Sequence, residues 1–174
     1  MTAPHPEPWQ SGPVDGVPSM LQPVAHALLN CQEQIHGALD GMTSEQLAAR
    51  PQNVASLEFH LRHACGSLDR LFTYARGESL SDAQREYLSA EKTASRNPPA
   101  VGELLALVDE HVERAIDQLR STDDSALVTP REVGRAKLPS TVMGLLFHGA
   151  EHTARHTGQI VTTAKLVRAL SAAS

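Results

Sequence analysis

Three of the chain's nine histidines stand at positions 148, 152 and 156, each four residues from the next. On an α-helix a step of four residues rises about 6 Å and turns only ~40°. His152 and His156 can therefore aim their imidazoles at one point from adjacent turns. Two neutral imidazoles so placed need one more ligand to make a site for a divalent ion. Metal binding is the first chemistry this pattern offers, and any catalysis would follow from it.

The third ligand must come from another element, and His60 and His63 are the candidates. Both fall in a segment expected to be helical from about 56 to 76, ending at Gly77. There Leu57, Leu61, Ala64, Leu68, Leu71 and Ala75 recur at 4-3-4-3-4 spacing, an apolar stripe. With that stripe centred at zero, His60 lies about 60° to one side and His63 about 120° to the same side. Periodicity alone thus favours His60 as the inward residue. It leaves His63 open, because ligands often sit where a cleft opens beside a stripe.

Other elements must hold these two segments together. Residues 1–18 carry five prolines and two glycines, which cannot sustain a helix or a ladder. They are expected to be a flexible N-terminal arm that includes His5, and residues 19–174 a single domain. A first helix is expected from Ser19 to a stop at Gly41, its stripe built from Leu21, Val24, Leu28 and Ile35. Thr43 and Gln46 form a capping box for a short helical turn. Ser81 opens another short helix. After a Pro98-Pro99 break, the segment from about Ala100 to Leu119 repeats Leu104, Leu105, Val108, Val112, Ile116 and Leu119 at helical spacing. Residues 121–139 read as a mixed loop with an extended piece near Leu127–Val128. Ser140 is expected to cap a last helix running to about Leu170. Four long helices with a long crossover loop before the fourth describe an all-α four-helix bundle.

Composition agrees and narrows the function. Hydrophobic residues make up 41% of 174, while only six residues are Phe, Tyr or Trp. A core built mainly from Leu, Val and Ala suits close-packed helices. Net charge is −5 with no Lys/Arg cluster, which argues against nucleic acid and anionic membrane as partners. Cys31 and Cys65 belong to no CxxC and read as small core residues. With no basic-then-apolar leader and no apolar run near the ~18 residues that span a bilayer, the expected location is cytoplasmic.

Ser56-Leu57-Glu58-Phe59-His60-Leu61-Arg62-His63, followed by Ser67-Leu68-Asp69-Arg70-Leu71, resembles the second helix of the DinB/YfiT-like superfamily. His148 to Gln159, ending His156-Thr157-Gly158-Gln159, resembles its last helix, where a His-xxx-His pair precedes Gly-Gln. The resemblance spans roughly residues 19–170. It implies a four-helix bundle, commonly a homodimer, with one divalent ion held by three histidines. Carried over by position, the ligands fall on His63, His152 and His156, with His60 the alternative. His148 matches a histidine one turn before the pair that sits beside the ligands or faces substrate. Arg155 departs from the pattern, since many relatives carry another histidine there.

Zn²⁺ and Ni²⁺ suit such imidazole ligands. Three neutral ligands leave the ion's charge uncompensated and a position open, so a bound water or thiol would be drawn towards a neutral pKa. The expected function is a metal-dependent transferase or hydrolase that activates a thiol or water against a small electrophile. The resemblance adds that some relatives use low-molecular-weight thiols. The alternative is a non-catalytic, stress-related binding protein whose metal stabilises the bundle or dimer. No catalytic residue stands out: Glu151 points ~100° from His152 on the wheel, and Asp69 and Arg70 read as a helix-surface pair or a partner contact. His26, His36 and His111 read as structural. Gly158 reads as a packing glycine and Gln159 as a neighbour of the site.

Overall fold

The computed structural model describes residues 6–91 and 99–173. His5 and Pro98, assigned above to the arm and to a break, lie outside them. A single 3-10 turn at Ser19–Leu21 leads into α1 (Gln22–Leu39), with Pro23 in the first turn, where a missing N–H costs nothing. Gly41, at φ +67°, follows it. The Thr43/Gln46 capping box opens α2 (Ser44–Ala48). Next come α3 (Leu57–Ala75), capped by the Ser56 hydroxyl, and α4 (Asp82–Ala90), capped by Ser81. Then follow α5 (Val101–Ser121) and α6 (Val142–Ala172).

The four long helices form a closed ring in cross-section. α6 lies between α3 and α1, and α5 packs on both from the other side, with α3 against α6 the broadest contact. The stripes read from the sequence meet inside. Leu28, Ile35, Leu61, Leu119, Leu146 and Ile160 are all but fully buried. Truncating one such Leu to Ala costs about 2–5 kcal/mol. Among the described residues, no helix is long and apolar enough to cross a membrane.

The segment before α6 differs from the expected loop. Pro130–Val133 (β1) and Leu138–Thr141 (β2) pair as an antiparallel ribbon, joined through Gly134 at φ +66° and Lys137 at φ +50°. Prolines in both strands argued against a ladder, but a two-stranded ribbon has only edges, where proline is tolerated. Leu127 ends a 3-10 turn instead of an extended piece, and its side chain is buried. The cap of α6 is Thr141, whose hydroxyl accepts from Gly144 N, while Ser140 belongs to β2 opposite Arg131.

Residues 6–18, expected as a flexible arm, are fastened to the bundle. The Gln22 amide accepts from Val14 N at 2.8 Å and donates to Val17 O at 2.8 Å. Arg120 Nε donates to Asp15 O, and Val17 is buried. Proline limits helix here to one 3-10 turn at Pro8–Gln10 and leaves carbonyls free to accept side-chain donors.

Candidate metal centre

α3 and α6 bring the two histidine segments together because α6 carries glycine where the helices touch. A Cβ at Gly149 would lie 2.9 Å from the Phe72 ring, so the backbone of α6 lies directly against α3. One turn on, His152 faces His63, their Nε2 atoms 3.2 Å apart. One ligand atom from each of His63, His152 and His156 lies within 4.8 Å of the others. The His156 ring stands 4.8 Å from that of His63 and 4.7 Å from that of His152. Two nitrogens on one tetrahedral zinc are about 3.3 Å apart, from Zn–N near 2.05 Å. The trio fits a divalent ion in both geometry and donor type.

His60 is buried, as the apolar stripe requires, but stands behind this group: its Nδ1 lies 3.0 Å from His156 Nδ1. The wheel reads its burial correctly. Which ring nitrogens converge depends on the angle at which α6 crosses α3, and no periodicity within α3 contains that. His148 is exposed at the rim, 3.3 Å from Glu151 and with its ring 5.7 Å from that of His152. Phe59 stacks on His63 at 5.5 Å with the planes 7° apart, and meets His60 edge-on.

The electrostatics keep these rings in the ligand state. Burial holds His156 down at about 4, helped by charge repulsion from His152, His63 and His60. Burial, then charge repulsion from His63, Arg155 and His148, lowers His152, and burial followed by repulsion from His63 lowers His60. These lowered values leave His152 and His156 neutral at neutral pH, as metal ligands must be.

Arg70 and Glu91 correct the sequence reading. Arg70 is buried and makes no surface pair with Asp69; its Nη1 donates to Glu91 Oε1 at 2.5 Å and its Nη2 to Ser67 Oγ at 3.1 Å. Asp69 instead accepts from Arg114 and Gln84. Glu91, just past α4, is buried and lies with Oε2 2.9 Å from His63 Nδ1. Burial pushes its carboxyl up, but the hydrogen bonds from His63 and Arg70 outweigh this and hold it below the usual carboxylate range. Nothing local marks Glu91, 28 residues from His63. The one available signal was Gly66, a glycine inside a strong helix, where it costs about 1 kcal/mol relative to Ala. A Cβ there would meet Glu91 Oε1 at 2.4 Å and Tyr87 Cε1 at 2.6 Å.

The remaining candidates are accounted for structurally. Glu151 is engaged by Arg155 at 2.6 Å, and Arg155 Nη2 also lies 3.3 Å from His152 Nδ1. His26 donates to Gly12 O, His111 to Leu107 O, and His36 pairs with Asp109 at 2.7 Å. Cys31 and Cys65 are buried free thiols; burial raises Cys31 and pushes Cys65 up to about 12. Gly158 and Gln159 are exposed, and a Cβ on Gly158 would touch nothing within 4 Å, so among the described residues it packs against no other helix.

A family model described as DinB superfamily matches residues 27–160. No curated protein matches the chain. Among solved structures, the crystal structure of a conserved protein from Enterococcus faecalis superposes with a TM-score of 0.69 at 16% identity. The match covers 86% of this chain and 97% of that one, and at this identity it speaks for the fold alone.

Proposed function

The chain belongs to the DinB superfamily, and from that premise we propose that it holds one divalent ion, Zn²⁺ or Ni²⁺, on His63, His152 and His156. We further propose that it uses this centre for transfer or hydrolysis on a small electrophile. The observation that carries the reading is the convergence of three imidazole nitrogens from two helices within 4.8 Å. An ion held there by imidazoles, which add no charge, would supply Lewis-acid chemistry to a thiol or water.

The chain's own residues bind and orient. His60 Nδ1 lies 3.0 Å from His156 Nδ1; when His156 donates in this pair and His60 accepts, Nε2 of His156 keeps the lone pair that a metal needs. Phe59 stacks on one face of His63 and limits the orientations of its ring. Neither cysteine can attack, because both thiols are buried and held protonated. An attacking thiol is therefore a small molecule arriving from solvent, past the rim formed by His148, Glu151 and Arg155. Assembly as a homodimer belongs to the same proposal.

The test is turnover with a panel of thiols and electrophiles, using metal-loaded protein, chelated protein and His152→Ala. The proposal expects turnover in the first and none in the other two; an inactive loaded protein would sink the enzymatic part. A second reading, in which the metal only braces the bundle, is favoured by one feature: the cluster joins α3 to α6, the broadest helix contact. A melting temperature that falls on chelation, with turnover absent throughout, selects it.

A further inference from the structure

The structure assigns Glu91 as the positioning residue of this centre: its carboxylate holds His63 with Nδ1 protonated and Nε2 turned towards His152 and His156. The inference rests on the metal reading above and adds to it a residue outside the histidine motif. A neutral imidazole donates from one nitrogen and accepts at the other. A carboxylate 2.9 Å from Nδ1 requires the proton there, which leaves the lone pair on Nε2, the atom 3.2 Å from His152 Nε2. Such an acceptor behind a ligand histidine fixes its tautomer and ring orientation and raises its basicity.

The carboxylate is itself held from several sides. Arg70 Nη1 donates to its other oxygen, and Arg70 Nη2 is anchored on Ser67 Oγ. The absence of a side chain at Gly66 makes room for Glu91, Tyr87 and Arg70 against α3. α4 delivers the carboxylate and is seated on α3 by Gln84, which donates to Asp69 Oδ2 and Thr73 Oγ1, both at 2.7 Å. Tyr87 completes the seat by donating to Arg62 O. Of the two donors to Glu91, His63 belongs to the histidine trio itself, and Arg70 touches it only through Ser67 Oγ, 3.4 Å from His63 Nε2. A carboxylate needed only to offset Arg70 would not have to reach that ring.

The experiment is a competition titration of Zn²⁺ and Ni²⁺ against a chromophoric chelator, for wild type, Glu91→Ala, the double variant Glu91→Ala/Arg70→Met, and His63→Ala. Glu91→Ala should weaken affinity by roughly 10–100-fold. The double variant removes the unpaired buried cation; it should melt closer to wild type yet bind metal as weakly as Glu91→Ala. Recovery of wild-type affinity by the double variant would overturn the assignment, because the carboxylate would then serve only Arg70. Nitrogen NMR of the chelated wild type gives a readout without metal: His63 should carry its proton on Nδ1, and a proton on Nε2 overturns the inference. Wild type that binds no better than His63→Ala removes the metal reading and this inference together. Tight wild-type binding with Glu91→Ala unchanged removes this inference alone.

Discussion

Each of the three proposed ligands has its Nδ1 engaged by the protein: His63 by Glu91, His156 by His60 and His152 by Arg155. The first partner accepts a proton and the second can do so, which suits ligation through Nε2. Arg155 can only donate, so it favours the opposite tautomer of His152, with the proton on Nε2. It also places a cation beside the ion. Arg155→Ala should therefore tighten metal binding, by less than about tenfold because the guanidinium is exposed; weaker binding in the titration would contradict this. The same rings set an acid response in metal-free protein. The unfolded chain takes up these protons near pH 6.5, whereas folded His156 waits until about 4 because of burial and then its charged neighbours. Between those values the unfolded state binds more protons. The stability that neutral His156 contributes to the chelated protein is thus full above pH 6.5 and lost as pH falls towards 4. A denaturation midpoint that is flat or rising between pH 7 and 5 would refute this. The His152/His156 pair was legible from spacing alone, because both residues share one helix. Glu91 was not, because its relation to His63 exists only once α4 folds back onto α3.

The long helices could be read from apolar periodicity because each buries one continuous stripe against neighbours of the same kind. Helix starts built on a local hydrogen bond, such as Ser81 and the Thr43/Gln46 box, were equally readable. The ribbon before α6 was not. Its strands are four residues long, carry Pro130 and Pro139, and owe their pairing to a turn with two positive-φ residues. That ribbon moves the start of α6 by one residue, from a Ser140 cap to Thr141. Thr141→Ala should lower the unfolding free energy by about 1 kcal/mol. Ser140→Ala, on the ribbon, should stay within roughly 0.5 kcal/mol of wild type. Chemical denaturation that ranked the two the other way would return the cap to Ser140.

For the molecule as a whole, the bundle is a frame that sets two helices at a fixed distance and lets distant histidines meet. Gly149 marks where α6 lies close against Phe72 of α3, and Gly66 makes room on α3 for Glu91 and Tyr87. The fold was legible in the sequence because helix stripes and loop lengths restrict it to few arrangements. The choice between His63 and His60 was not legible from periodicity, because it depends on how α6 lies across α3. Metal content after dialysis, measured on wild type, His63→Ala and His60→Ala, tests the central claim most directly. One equivalent of divalent ion should remain on wild type and, more weakly held, on His60→Ala, while His63→Ala should retain none. Retention by His63→Ala with loss from His60→Ala would contradict it.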